Sequence, residues 1–191
     1  MDTVNILICG VGGQGVLLAG DIIAETAIAS GFDAKKSEVH GMAQRGGSVV
    51  SHVRFGQKVN SPLIRQGEAD VILSFEEMET ARYLQFLKAD GCLIINRQQI
   101  IPMSVATGQA EYPIDIVEKI KQQVKNVVLC PGMELAEKAG SAKAVNTVLL
   151  GALAKKLELS SEKWQEVISQ RVPAKSAEMN KKAFESGYGQ Q

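Results

Sequence analysis

Residues 4–20 read VNILICGVGGQGVLLAG, and this stretch decides the fold. Residues 4–9 form a short apolar run that is typical of a buried strand. Residues 14–30 consist mostly of helix formers. The glycines between the two runs satisfy the pattern GxGxxG, at the place where that pattern has a physical meaning. The sequence therefore predicts a strand, a glycine turn and a helix in direct succession.

The glycine turn is a candidate site for a phosphate group. Glycines allow positive φ angles and a close approach of the backbone, and the free N–H groups of a helix start attract an anion such as a pyrophosphate. The candidate cofactor-binding residues of this turn are Gly10, Gly12, Gly13, Gln14 and Gly15. A tight turn that binds no ligand is the alternative interpretation.

The rest of the chain alternates between strand and helix signals. Further strands are predicted at residues 32–39, 48–55, 71–75, 92–96 and 126–130, of which 32–39 is polar and suits a sheet edge. Helices are predicted at residues 76–88, 114–124, 133–139, 143–157, 162–172 and 177–185, with a turn at 90–91. This alternation predicts an α/β fold: a three-layer, Rossmann-like, mostly parallel sheet with helices on both faces and a helical C-terminal segment. We expect a single domain over residues 1–191.

The composition excludes several classes of protein. The chain has 191 residues with 21 basic and 21 acidic side chains, so it lacks the basic excess of a nucleic-acid-binding surface. Its apolar stretches are too short to span a bilayer, and we expect a soluble cytoplasmic protein with no membrane partner. Cys9, Cys92 and Cys130 stand far apart in apolar runs, which favours core positions over disulfides or metal ligands.

A second glycine-rich segment, HGMAQRGGS, covers residues 40–48. Its glycines free backbone N–H groups and Arg45 supplies a planar cation, so it can wrap a phosphate or carboxylate. The candidate cofactor-binding residues here are Gln44, Arg45, Gly46, Gly47 and Ser48, with His40 as a possible catalytic residue; an ordinary surface loop is the alternative. Loops at the carboxyl ends of strands face the ligand crevice in open α/β sheets, so the two glycine segments are expected to meet there.

Together, GVGGQGVLLAG at residues 10–20 and SEVHGMAQRGGSVVSHVRFG at residues 37–56 resemble the gamma-type subunit of the 2-oxoacid:ferredoxin oxidoreductases. Within that family the likeness is greatest to the small beta subunit of the indolepyruvate enzymes. The likeness continues through residues 69–84, 144–157 and 180–187, so it covers most of the chain. The segment from Gln44 to Gly56 is far more specific than GxGxxG.

The resemblance implies a heteromeric enzyme that decarboxylates a 2-oxoacid, transfers the acyl group to coenzyme A and passes electrons to ferredoxin. It also implies that this chain covers the active site and shares the coenzyme A site. On physical grounds we expect the N–H groups of the first glycine turn at a pyrophosphate and Arg45 at a phosphate. Thiamine diphosphate and the [4Fe–4S] clusters are expected in a larger partner subunit, because three scattered cysteines cannot hold a cluster that needs four thiolates.

Two other interpretations remain open from the residues. A stand-alone nucleotide- or NAD(P)-binding module follows from GxGxxG alone, with Asp33 or Glu38 as the acid for the ribose. The other is an assembly subunit, whose glycine segments only shape an interface.

The helix predicted at residues 143–157 is apolar nearly all round. This favours packing in the core or else at an interface, including a homodimer of the isolated chain.

Overall fold

A mixed six-stranded β-sheet forms the centre of the chain in the computed structural model, which describes residues 2–40 and 47–190. The strands are, in chain order, β1 Val4–Val11, β2 Asp33–His40, β3 Ser48–Gly56, β4 Ala69–Ser74, β5 Leu87–Asn96 and β6 Asn126–Cys130. Their order across the sheet is β2-β3-β1-β4-β5-β6. The apolar run predicted to be the first strand therefore lies inside the sheet, with neighbours on both sides.

Most of the sheet is parallel, as predicted. β1, β4, β5 and β6 pair in parallel, whereas β3 pairs antiparallel with both β1 and β2. Parallel strands of this kind are buried on both faces and consist of nearly continuous apolar residues. Ile6, Leu7 and Ile8 of β1 are accordingly all fully buried.

Eight helices lie in the described part of the chain. They are α1 Val16–Ala29, α2 Glu77–Tyr83, α3 Met103–Ala106, α4 Ile116–Gln123, α5 Gly132–Ala139, α6 Val145–Ala154, α7 Ser161–Arg171 and α8 Ala177–Tyr188. The larger apolar core lies between one sheet face and helices α1, α5, α6, α7 and α8, and the smaller one between the other face and α2 and α4. The predicted three layers and helical C-terminal segment are confirmed.

Helix α6 is packed on several sides within the chain. Its residues from Thr147 to Ala154 are all buried, and α8 crosses it at backbone contact. A Cβ atom at Gly151 would lie 2.1 Å from the carbonyl oxygen of Phe184, and one at Gly187 would lie 1.8 Å from that of Val148. The small residues of this helix therefore serve core packing, the first of the two interpretations.

The polar strand predicted at residues 32–39 is confirmed as the edge strand β2. The helix predicted at residues 76–88 is too long, because α2 ends at Tyr83 and a 3₁₀ turn at residues 84–86 leads into β5. Leu87 already pairs with Ala69 of β4, so sheet pairing ends the helix early. Residues 90–91, predicted as a turn, belong instead to β5, at the place where its pairing with β4 shifts register.

Candidate functional site

The carboxyl ends of four parallel strands gather the candidate residues at one edge of the sheet. β3 runs the opposite way and begins at this edge, where Ser48 pairs with Val11 at the end of β1. The N–H group of Gly12 donates a hydrogen bond to the carbonyl oxygen of Gly47 over 2.9 Å. The first glycine turn therefore contacts the end of the second glycine segment, as expected for the ligand crevice of an open sheet.

Gln14 joins three elements at this edge. Its Oε1 accepts a hydrogen bond from the N–H group of Val11 (2.7 Å), at the end of β1. Its Nε2 donates to the carbonyl oxygen of Phe75 (2.9 Å), directly after β4, and to Oε1 of Gln98 (3.1 Å), after β5. Both side-chain N–H groups of Gln14 are thus used within the chain, so this predicted site residue organises the edge through its side chain.

Asn96 makes the matching connection from the last residue of β5. Its Oδ1 accepts from the N–H group of Gly132 (3.1 Å), at the start of α5. Its Nδ2 donates to the carbonyl oxygen of Phe75 (3.1 Å) and to Oε1 of Gln98 (3.0 Å). Asn96 is fully buried, and this network fixes the ends of three strands relative to one another.

A cleft of about 390 Å³ opens beside this network, and we call it the α1 cleft. Its lining includes Gly13, Gly15, Gln98, Lys143 and Asn146. Among the described residues that line it, Lys143 alone carries a charge, and its side chain is exposed. A cleft with one cation and no lining carboxylate favours an anionic ligand.

The start of α1 adds polar groups to the α1 cleft. The first intrahelical hydrogen bond runs from the N–H group of Ala19 to the carbonyl oxygen of Gly15 (3.0 Å), so the N–H groups of the preceding turn have no acceptor within the helix. None of the described side chains caps this helix start. Such N–H groups, together with the helix dipole, bind phosphate and carboxylate groups.

The glycines of the first turn have different surroundings. Gly10 is buried, and a Cβ atom there would come within 2.8 Å of both Gln14 and Phe75. Gly13 has a φ of 100° and faces open space, whereas Gly15 has a φ of 84° and contacts Asn146, whose Nδ2 donates to its carbonyl oxygen over 2.7 Å. Gly13 and Gly15 are therefore the glycines of this turn that reach the α1 cleft.

The second glycine segment lies largely outside the described residues. The candidate site residues Gln44, Arg45 and Gly46 fall there, and for His40 only the backbone at the end of β2 is described. Ser48 is described: its hydroxyl donates to Oε2 of Glu79 and lies 3.1 Å from the hydroxyl of Tyr83. The hydroxyl hydrogen of Ser48 is thus held by a buried carboxylate.

Buried carboxylates near this edge were not predicted from the sequence as site residues. Glu76 is 1 % exposed and Glu79 is 3 % exposed. Glu76 accepts hydrogen bonds from the N–H group of Glu79 (2.9 Å), from Tyr112 Oη (2.7 Å) and from the N–H group of Ile100 (3.1 Å). Burial and the bond to Glu76 raise the pKa of Tyr112 above its ordinary value. The sequence does carry a signal, four acidic or polar residues directly after a buried strand, but the same pattern is typical of a helix start.

The three cysteines lie in the sheet as free thiols. Cys9 and Cys130 are fully buried, and burial raises the pKa of each thiol to about 12. Cys92 is partly buried, and its pKa is raised for the same reason. Their predicted role as core residues is confirmed for Cys9 and Cys130. Among residues 2–40 and 47–190, no three His, Cys, Asp or Glu side chains come together as a metal site.

Comparison with known proteins identifies the family. The sequence model described as pyruvate ferredoxin/flavodoxin oxidoreductase matches residues 5–190. The chain belongs to this family. It is 41 % identical to indolepyruvate oxidoreductase subunit IorB of Thermococcus kodakarensis, over 98 % of this chain and 95 % of that protein. It is 28 % identical to 2-oxoglutarate synthase subunit KorC of Methanothermobacter marburgensis, over 96 % of this chain and 94 % of that one.

Solved structures of this family share the fold. The gamma subunit of a keto/oxoacid ferredoxin oxidoreductase from Geobacter sulfurreducens superposes with a TM-score of 0.71 at 27 % identity, over 97 % of this chain and 96 % of that chain. A 2-oxoglutarate:ferredoxin oxidoreductase from Magnetococcus marinus gives a TM-score of 0.75 at 22 % identity, over 98 % of this chain and 31 % of that longer chain. The chain is thus an IorB-like small subunit of the 2-oxoacid:ferredoxin oxidoreductase type.

The geometry disagrees with a standard dinucleotide-binding module. In that arrangement the strand after the first helix lies beside the first strand and carries the ribose-binding acid. Here β3 separates β2 from β1. Asp33 is the first residue of β2 and therefore lies at the other end of the strands from the first glycine turn. Its carboxylate accepts hydrogen bonds from Lys35 and from the N–H group of Val59. Glu38 forms an ion pair with Lys36.

In the described part of the chain, no helix is both long and apolar enough to cross a membrane.

Proposed function

We propose that this chain is the small subunit of a heteromeric ferredoxin oxidoreductase that acts on indolepyruvate or another arylpyruvate. The observation that carries the proposal is the gap in identity between relatives. The chain is 41 % identical to IorB subunits from three archaea, but 27 % identical to a pyruvate/ketoisovalerate common subunit gamma and 28 % to KorC. An aromatic 2-oxoacid is therefore the substrate class that we favour.

In this proposal the chain covers the active site of the complex and helps to bind coenzyme A. The α1 cleft supports this role, because the start of α1 and Lys143 favour the phosphate groups that coenzyme A carries. Coenzyme A accepts the acyl group that remains when the 2-oxoacid loses CO₂, and the released electrons pass to ferredoxin. This chain would hold and orient the phosphate end of coenzyme A at Gly13, Gly15 and Lys143, with Arg45 as a further phosphate ligand.

Thiamine diphosphate and the [4Fe–4S] clusters are assigned in this proposal to a larger partner subunit. A cluster needs four thiolates held together. Cys9, Cys92 and Cys130 stand on three different strands. The residues of this chain therefore do not fit a cluster.

Affinity purification from an anaerobic extract of the native cells tests the proposal. The tagged chain is expected to bring down a brown partner of much larger mass, and the pair should reduce ferredoxin or a dye with arylpyruvate and coenzyme A. Initial rates with indolepyruvate, phenylpyruvate, pyruvate and 2-oxoglutarate would then rank the substrates. A colourless chain recovered alone would contradict the proposal.

A change of Arg45 separates coenzyme A binding from a pure assembly role. In the reconstituted complex, Arg45→Ala is expected to raise the KM for coenzyme A about tenfold, because a charge-assisted hydrogen bond to phosphate is lost. The KM for the 2-oxoacid should stay the same. Unchanged turnover and an unchanged KM for coenzyme A would instead favour a subunit whose glycine segments only shape an interface.

A further inference from the structure

The orientation of the Gln98 carboxamide follows from two backbone N–H groups. The N–H of Val11 points at one end of the Gln14 amide, so that end must be the oxygen, and the other end must be the NH₂. The N–H of Gly132 fixes the Asn96 amide in the same way. Neither amide can be turned over without setting two donors against each other.

Both NH₂ groups then converge on one atom of Gln98. Gln14 Nε2 lies 3.1 Å and Asn96 Nδ2 lies 3.0 Å from that atom, which must therefore be the acceptor Oε1. A carbonyl oxygen has two lone pairs, and these two donors use both of them. The other end of the Gln98 carboxamide is consequently the NH₂ group, and its polarity is set by the fold.

The NH₂ group of Gln98 has no acceptor among residues 2–40 and 47–190. Gln98 lines the α1 cleft, which it shares with Lys143 and the start of α1. A pre-oriented donor beside a cation and free helix N–H groups suits an acceptor with several oxygens, such as a phosphate.

We propose that Gln98 is a ligand-binding residue of the α1 cleft, where its NH₂ group donates to a phosphate oxygen of the bound molecule. The inference deepens the proposed function and rests on it where it concerns coenzyme A. It goes further by assigning a contact to a residue outside both glycine segments, and by stating its direction: Gln98 donates and the ligand accepts.

The variant Gln98→Glu tests whether Gln98 donates this hydrogen bond to the ligand. A glutamate at position 98 keeps an oxygen for Gln14 and Asn96, so the network is retained, but it replaces the free NH₂ group by a carboxylate oxygen. In the reconstituted complex, the KM for coenzyme A should rise at least about tenfold, because an acceptor then faces an anion. The kcat should stay the same, since Gln98 is assigned to the phosphate end. Thermal unfolding should also be unchanged.

Two further variants complete the test. Gln122→Glu on the exposed surface of α4 adds the same charge on the other side of the sheet and should leave the KM for coenzyme A unchanged. Gln98→Met removes the donor without adding charge, and a smaller rise of about fivefold is expected from the loss of one hydrogen bond to phosphate. It also removes the oxygen that Gln14 and Asn96 share, so its thermal unfolding is compared with that of the wild type. If Gln98→Glu fails to fold, Gln98→Met decides.

A binding assay on the isolated chain separates this inference from the proposed function. Inorganic pyrophosphate, ADP and coenzyme A are titrated calorimetrically into the wild type, Gln98→Glu and Gln122→Glu. Pyrophosphate binding that only Gln98→Glu weakens would support the inference even if turnover proved independent of coenzyme A. The inference is overturned if Gln98→Glu matches the wild type wherever the wild type binds, or if the wild type binds none of the probes and its turnover shows no dependence on coenzyme A.

Discussion

Gly13 and Gly15 both have a positive φ, yet a side chain would meet different surroundings at the two positions. A Cβ atom at Gly13 meets open space, whereas one at Gly15 lies 2.5 Å from Asn146 Nδ2. A left-handed backbone costs an L-residue about 1–2 kcal/mol at either position. At Gly15 the contact with Asn146 adds to this cost.

We therefore expect Gly13→Ala and Gly15→Ala to differ in stability. Gly13→Ala should lower the free energy of unfolding by about 1 kcal/mol, from the backbone alone. Gly15→Ala should lower it by about 1 kcal/mol more, because Asn146 must move and lose its hydrogen bond to the Gly15 carbonyl oxygen. Urea unfolding of the isolated chain measures both values. Equal losses would show that the contact with Asn146 contributes nothing.

His52 provides a pH dependence at the residue scale. Its side chain is buried, its Nδ1 accepts from the N–H group of Ile64 (3.2 Å), and burial lowers its pKa below the ordinary value of 6.5. In the unfolded chain the imidazole takes up a proton as the pH falls below about 6.5, while the folded chain resists protonation. The folded state is therefore destabilised as the pH falls from about 6.5 towards the lowered pKa.

Unfolding free energies at pH 7.5, 6.5 and 5.5 test this effect, for the wild type and for His52→Gln. The wild type should lose stability towards pH 5.5, and the variant should lose less over the same range even though it starts from a lower value. Because His40 remains in both chains, the difference between the two slopes belongs to His52. Identical slopes would contradict the assignment.

The candidate site could be predicted from the sequence only where the chain is locally unusual. Gly13 and Gly15 follow from the glycine pattern after an apolar run. Gln98 and Asn146 carry no such local signal. Gln98 is held by the side chain of Gln14, 84 residues away along the chain, and Asn146 by the carbonyl oxygen of Gly15, 131 residues away. Asn146 and Thr147 are the two polar residues of the apolar helix α6, and this is the one hint that the sequence offers.

At the scale of elements, the helix pair of α6 and α8 depends on glycine. The backbones touch where Gly187 faces the carbonyl oxygen of Val148 and Gly151 faces that of Phe184. Side chains at these positions would separate the helices, and the buried side chains of α6 would lose contacts with α8. Close crossing of this kind requires residues without a Cβ atom.

Gly187→Ala is expected to destabilise the chain by about 3 kcal/mol, because the new methyl group would meet a backbone atom that cannot move alone. Gly189→Ala is the matched control: its nearest neighbour would be 3.6 Å from the new Cβ atom, and its φ of −75° suits any residue. Thermal unfolding followed by circular dichroism compares the two. A Gly187→Ala chain as stable as the control would show that the crossing can widen freely.

Element types were largely predictable, and element ends were not. The apolar runs of β1, β4 and β6 are strands in any context, because their residues fit a sheet that is buried on both faces. The end of α2 depended instead on Leu87 pairing with Ala69, a contact between distant parts of the chain. Helix α3 is a single turn between β5 and α4, and the sequence there has no helical periodicity.

At the scale of the whole molecule, the strand order could not be derived from the sequence pattern. Alternating strands and helices predict a parallel sheet, but they do not place β3 between β2 and β1 with the opposite direction. This placement brings the start of β3 to the same edge as the first glycine turn. It also explains why GxGxxG here lacks the adjacent acid that a dinucleotide requires.

The buried thiols of Cys9 and Cys130 can report when the chain unfolds. A thiol must lose its proton to attack iodoacetamide, and burial both hinders that loss and blocks the reagent at Cys9 and Cys130. We expect neither to be alkylated at pH 8 until the sheet opens, whereas all three should react in urea. Mass spectrometry after timed alkylation would count the modified cysteines. The same shielding would let maleimide dyes be attached at an engineered surface cysteine while Cys9 and Cys130 stay unmodified.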